Sequence, residues 1–211
     1  MRIAIIGAAE LGRLIAKHIE NDSTNEIVGF YDDFKKDALF LNYKICGNID
    51  KLLIDFDNGM FDAAIIGIGY NQMKSRAAIF DKLKGKIPFA NLIHSSSYVD
   101  KSCELGEGIV ILPGVTLDLG VVIEDNVLIN TSAIVAHHST IGKHSFIAPG
   151  VHIAGLVNIE QQCFIGIGSI IKDSISIKKQ SIVGAGSLVL KDIEENAVYI
   201  GAPAKFIKSN I

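Results

Sequence analysis

From Ile93 to Val189 every sixth residue is Ile, Val or Leu, 17 positions in succession without a break. In a chain that is 49% hydrophobic, chance does not produce such a run. The residue two before each position is restricted as well: from Cys103 to Ser187 it is always Cys, Ile, Val, Ala or Ser. Side chains two apart lie on one face of a strand, so each six-residue unit offers one small and one large group to a common interior. Helices repeat every 3.6 residues and coiled coils every 3.5, and neither gives a period of six. Short strands joined by turns and stacked in coils do, and the period predicts a parallel β-helix over residues 91–211. Gly106, Gly142, Gly166 and Gly184 fall at its turns. Cys103 and Cys163 occupy small inward positions and read as buried hydrophobes, not as ligands or nucleophiles.

Residues 1–90 obey a different rule. RIAIIG is a continuous apolar run ending at Gly7, as in a strand covered on both faces. ELGRLIAKHIE places Leu11, Leu14, Ile15 and Ile19 at helical spacing. EIVGFYDD is a second strand, and FDAAIIGIGYNQMKSRAAIFDKL gives a third strand, a turn and a helix. Three strands in βαβ order predict a Rossmann-like α/β domain, suited to a mononucleotide more than to a full NAD. The turn GAAELG keeps the first and last glycines of the dinucleotide pattern, Gly7 and Gly12, with Ala9 at the middle one. It is either a phosphate cradle or a plain βα junction. Asp32 and Asp33 are candidates to hold a ribose hydroxyl, with turn or capping roles as the alternative. Gly67, Gly69 and Asn71 form the second loop expected to face the same ligand.

Composition removes several classes. Net charge is −3 with no Lys/Arg cluster, which argues against nucleic acid. No apolar run approaches the length of a membrane span, and the opening run is too short for a signal peptide. Three cysteines without CxxC spacing point to a reducing cytoplasm and no disulfides. Four histidines, 137, 138, 144 and 152, crowd into 16 residues. They lack H-x-x-H or H-x-x-x-H spacing, and strand alternation turns them different ways, so no metal site is expected.

An unbroken hexapeptide series resembles the left-handed β-helix acyltransferases, where three hexapeptides form one triangular coil. The fuller resemblance is to the sugar O-/N-acyltransferases of the sialic-acid O-acetyltransferase type, and it covers nearly the whole chain. IAIIGAAELGR, VGFYDD, IIGIGYN, FANLIHSSS, LINTSAIVAHHSTIG and IGAPAKFIK match its segments in order and spacing. The resemblance implies an acetyl-CoA-dependent transfer to the amine of a nucleotide-activated amino-dideoxy sugar for bacterial surface glycans, in a homotrimer with sites between subunits. It implies His137 as general base, Asn130 near the reacting group, and Gly155 as the backbone N–H facing the oxyanion. Gly155, Ile167, Ala185 and Lys205 in the closing GAPAK segment are implied to line the acetyl-CoA groove.

Acyl transfer needs a base for the attacking amine, a donor for the oxyanion and a groove for the cofactor, and imidazole suits the first role at neutral pH. Three positions depart from the family pattern. His138 stands where Glu or Asp usually follows the catalytic histidine, Phe146 where a further histidine is usual, and Ser95 where Pro usually follows LIH. His138 is therefore a second candidate of undefined role, either catalytic or a solvated neighbour. O-acetylation, as on sialic acids, is the nearest alternative chemistry, and a nucleotide-sugar-binding scaffold without activity is the alternative of a different class. No metal cofactor is expected.

Overall fold

The computed structural model describes all residues except Lys36 and Ile211, and the chain divides into two compact units, Met1–Asn91 and Leu92–Ile211. In the first, β1 (Arg2–Ile6), β2 (Glu26–Tyr31), β3 (Leu39–Phe40), β4 (Tyr43–Gly47) and β5 (Ala63–Ile66) form one sheet in the order β3-β4-β2-β1-β5. β1 runs parallel to β2 and β5, and β2 parallel to β4, while β3 is antiparallel to β4. Helices α1 (Glu10–Asp22), α2 (Ile49–Asp57) and α3 (Met73–Leu83) complete the unit. β1 beyond Arg2 and all of β5 are buried, as their continuous apolar runs require.

Two sequence expectations need correction here. The sheet has five strands, not three. β4 carries Lys44 and lies half-exposed beside β2, so it lacks the apolar run that marks β1 and β5. In α1 the buried stripe is Gly12, Ile15, Ala16 and Ile19, and Leu14 faces outward with 37% exposure.

The second unit is built from 17 two-residue strands, Leu92–Ile93 through Leu188–Val189, each six residues after the last. Each of the first 14 pairs in parallel with the strand 18 residues on: Thr116 lies beside Ile134, and Ile134 beside His152. Three sheets result, one per face of a triangular coil. We number the faces by their first strands, Leu92–Ile93, Tyr98–Val99 and Glu104–Leu105. There are five complete coils and two sides of a sixth. Strand Ala197–Ile200 extends face one and pairs antiparallel with Lys205–Ser209.

The second residue of every doublet from Ile111 to Val189 is buried. Ile93, Val99 and Leu105 are not, because the first coil has a neighbouring coil on one side only. The small register fills the edges of the prism, where the chain turns. Serines serve there because their hydroxyls reach the coil ahead: Ser139 Oγ donates to the Ala154 carbonyl at 2.9 Å, and Ser145 Oγ to that of Glu160 at 3.1 Å. Cys163 does the same toward the Lys178 carbonyl at 3.1 Å. Gly142 and Gly166 answer to close approach rather than to backbone conformation. A Cβ on either would sit 2.6 Å from the backbone nitrogen of Gln161 or Ala185 in the next coil.

Candidate active site

His137 and His138 occupy the edge between faces two and three, in the turn joining strands Ile134–Val135 and Thr140–Ile141. Val135 and Ser139 on either side are buried, which anchors the turn and leaves both imidazoles exposed. The rings stand edge to face at 77°, with centroids 5.4 Å apart and Nδ1 to Nδ1 3.3 Å. They lie along the prism in opposite directions. His137 covers Gly155 in the coil ahead, where a Cβ would fall 2.5 Å from both Cε1 and Nε2. His138 covers Gly120 in the coil behind, where a Cβ would fall 2.9 Å from Cδ2.

The two glycines differ in what their N–H groups do. Gly120 N–H donates to Ser102 Oγ at 2.8 Å. Gly155 N–H has no acceptor among the described residues. A free N–H beside the Nε2 edge of an imidazole can stabilise an oxyanion while the ring takes a proton.

The other predicted residues are distributed. Asn130, Ile167 and Ala185 lie on a different edge, between faces one and two. Ile167 and Ala185 stack one coil apart, both exposed, with Gly186 N–H on the Ile167 carbonyl at 2.8 Å. Asn130 Oδ1 accepts the Thr131 N–H at 2.8 Å, which stiffens its own turn. Lys205 is exposed at the start of the last strand. Thus one chain brings together His137, His138 and Gly155, and holds Asn130, Ile167 and Ala185 one face away, roughly 15–20 Å at 3.3 Å per extended residue.

Of the remaining histidines, His144 is buried on the third edge with Nδ1 3.0 Å from Asn126 Nδ2, and His152 projects from face two. Among the described residues no three His, Cys, Asp or Glu side chains are placed to hold a metal ion. A depression on face three, lined by Glu124, Thr140, Asn158, Gln161 and Lys179, contains none of the candidates.

In the first unit the glycines of the βα turn interlock. Gly7 has φ +103°, a Cβ on Gly12 would collide with the Gly7 carbonyl oxygen, and one on Gly67 would fall 2.6 Å from Gly12 Cα. Gly69 and Asn71 follow β5 at the same strand end, where Gly69 precedes the short turn Tyr70–Gln72. The two acids are largely engaged by backbone. Asp32 Oδ2 accepts the Ala8 N–H at 2.8 Å, and its Oδ1 accepts those of Phe34 and Lys35. Burial pushes the Asp32 carboxyl up, but these three donors outweigh it and hold the group below its ordinary range. Asp33 Oδ1 accepts the Ile49 N–H at the start of α2. The turn and capping roles weighed for both acids are therefore present. The Ala8 N–H, one of those a phosphate would have used, is taken by Asp32.

Comparisons with known proteins bear on both units. Residues 2–83 match the PglD N-terminal domain family, residues 120–155 the bacterial transferase hexapeptide (six repeats), and residues 156–191 the hexapeptide repeat of succinyl-transferase. The fold matches PerB from Caulobacter crescentus, solved with CoA and GDP-perosamine, at a TM-score of 0.88 and 26% identity over 99% of this chain and 98% of that one. It also matches the acetyltransferase domain of PglB from Neisseria gonorrhoeae in complex with acetyl coenzyme A, at 0.87 and 24% over 98% of each chain. WeeI from Acinetobacter baumannii matches at 0.82 and 24%, over 98% of this chain and all of that one. With a PglD-type first unit, hexapeptide-repeat coils as its second and a full-length likeness to these structures, the chain has the two-part architecture of the left-handed β-helix acetyltransferases it matches.

Proposed function

We propose that the protein transfers the acetyl group of acetyl-CoA to the amine of a nucleotide-linked amino-dideoxy sugar. The observation that carries the chemistry is the Nε2 edge of His137 lying over Gly155, whose N–H has no acceptor among the described residues. The sugar amine attacks the thioester carbonyl carbon, and His137 Nε2 removes the proton that the nitrogen must lose. The carbonyl oxygen becomes an oxyanion opposite the Gly155 N–H. Collapse re-forms the carbonyl, breaks the C–S bond and releases CoA, whose thiolate regains a proton. A metal is not required at any step, and CoA as acyl carrier accords with PerB and PglB, both solved with CoA or its acetyl form.

The first unit is assigned the nucleotide, held at the ends of β1, β2 and β5 where Gly7, Gly12, Asp32, Asp33, Gly67, Gly69 and Asn71 gather. The chain is read as a homotrimer, because the base and the groove residues lie on different edges of one prism. A second copy presenting its Ile167–Ala185 edge to the His137 edge of the first would complete the site. Exposed Tyr98, Ile134 and Ile170 on face two supply apolar surface for such packing. Among the described residues no helix is long and apolar enough to cross a membrane. A cytoplasmic location is proposed because acetyl-CoA and nucleotide sugars are available there.

The test is a direct assay with acetyl-CoA and a panel of UDP-, GDP- and CMP-linked amino sugars. Wild type should N-acetylate a member of the panel, and His137→Ala should lower the rate by about 10²–10⁴-fold. Equal rates would overturn the assignment of His137. Transfer to a sugar hydroxyl in place of the amine would move the reading to O-acetylation. Binding of UDP-sugar and CoA without turnover would favour the scaffold.

A further inference from the structure

Of two adjacent imidazoles only one is needed as the base, and the other is free to act on it. A neutral imidazole carries one proton, and its two nitrogens have opposite roles. The 3.3 Å Nδ1–Nδ1 contact can be a hydrogen bond in two ways. If His137 donates, its Nε2 is left bare over Gly155. If His138 donates, its own Nε2 is left bare on the side of Gly120. Only the first arrangement puts a bare nitrogen beside a free N–H, because Gly120 N–H is already bound to Ser102 Oγ at 2.8 Å.

We propose that His138 is a positioning residue whose neutral Nδ1 accepts the Nδ1–H of His137, fixing His137 in the tautomer with Nε2 free above Gly155. The inference rests on the acetyl-transfer reading for its purpose but not for its geometry. His138 thereby supplies the acceptor that an acidic side chain would otherwise provide, without adding a negative charge. Protonation of His138 converts its Nδ1 from acceptor to donor. His137 must then present Nδ1 as the acceptor and keep its proton on Nε2, which removes the base. Either imidazole taking up a proton therefore silences the pair. Charged groups elsewhere on this edge are Asp118 in the coil behind, Asp100 and Lys101 two coils behind, Lys172 and Asp173 two coils ahead, and Lys191 and Asp192 three coils ahead. Ala154, Gly155 and Leu156 in the next coil carry none.

The backbone at His138 is left-handed, with φ +55°, so the replacement must tolerate that conformation. Leu156 occupies the same edge position one coil ahead at φ +60°, which makes His138→Leu a fair acceptor-free variant. His138→Glu restores an acceptor together with a charge.

The decisive measurement is nitrogen-15 NMR of histidine-labelled full-length protein above neutral pH, with His137 signals assigned by their loss in His137→Asn. Wild type should show the proton of His137 on Nδ1. His138→Leu should shift His137 to a mixture or to the Nε2–H form, and His138→Glu should return it to Nδ1–H. A His137 found as Nε2–H in wild type, or unchanged in His138→Leu, would overturn the proposal. This readout needs no substrate, so it stands or falls apart from the acetyltransferase reading.

The kinetic counterpart uses acetyl-CoA with the acceptor the panel identifies. His138→Leu should lose roughly 10–100-fold in kcat with little change in KM, on the scale of lost orienting partners elsewhere. His138→Glu should recover that loss and move the acidic limb of the pH–rate profile to higher pH, because a neighbouring carboxylate favours the charged imidazole. Unchanged kcat in His138→Leu would also overturn it.

Discussion

A methyl group added at Gly155 would lie 2.5 Å from both Cε1 and Nε2 of His137, although the backbone there is not left-handed. The glycine is thus required by the imidazole above it. Gly155→Ala should lower acetyl transfer by about 10²-fold or more while the melting temperature stays near wild type, checked by kinetics beside calorimetry. Cys163 offers a second residue-scale test. Burial pushes its thiol up to about 12, and it is fully enclosed, so native protein should react with a thiol reagent at Cys46 and Cys103 well before Cys163, as peptide mass spectrometry would show. The place of Cys163 was legible from the six-residue register. The contact between His137 and His138 was not, because both sit in a turn where the register says nothing of side-chain direction. The freedom of the Gly155 N–H was hidden for the same reason.

Among elements, the strand doublets separate cleanly into inner and outer residues. Ile159→Ala removes a fully buried side chain and should cost about 2–5 kcal/mol, while Asn158→Ala beside it should stay within about 0.5 kcal/mol, both read by denaturant unfolding. In the first unit, Asp32 ties the turn after β1 to the end of β2 through three backbone donors. Its folded pKa is lowered, so this stabilisation is fully present above the unfolded carboxylate value of about 4 and disappears as pH falls through the folded value below it. Asp32→Asn should therefore destabilise at neutral pH, with the deficit shrinking in acid, checked by unfolding at pH 7 and pH 3. The β-helix was readable because period six is repeated 17 times, whereas β3 and β4 were not. β3 has two residues, and β4 is a half-exposed strand without clean alternation. Tertiary pairing with β2, not local pattern, makes β4 a strand.

At the scale of the whole molecule, the proposed homotrimer brings together the proposed base and the proposed cofactor groove, which occupy separate edges of one prism. Mixing unfolded His137→Ala and Ala185→Trp proteins and refolding them together should regain activity that neither variant has alone. Some interfaces would then combine an intact His137 edge with an intact Ala185 edge. A site contained within one chain would regain nothing. The central claim, that His137 drives acetyl transfer to a nucleotide-linked sugar amine, is tested most directly by one comparison. Wild type and His137→Ala are incubated with acetyl-CoA and the panel of amino-sugar nucleotides, including GDP-perosamine, and products are read by mass spectrometry. Wild type should yield an N-acetylated sugar nucleotide, and the variant should do so at a rate lower by about 10²–10⁴-fold. Equal rates from the two proteins, or no acetylation of any sugar amine by wild type, would contradict it.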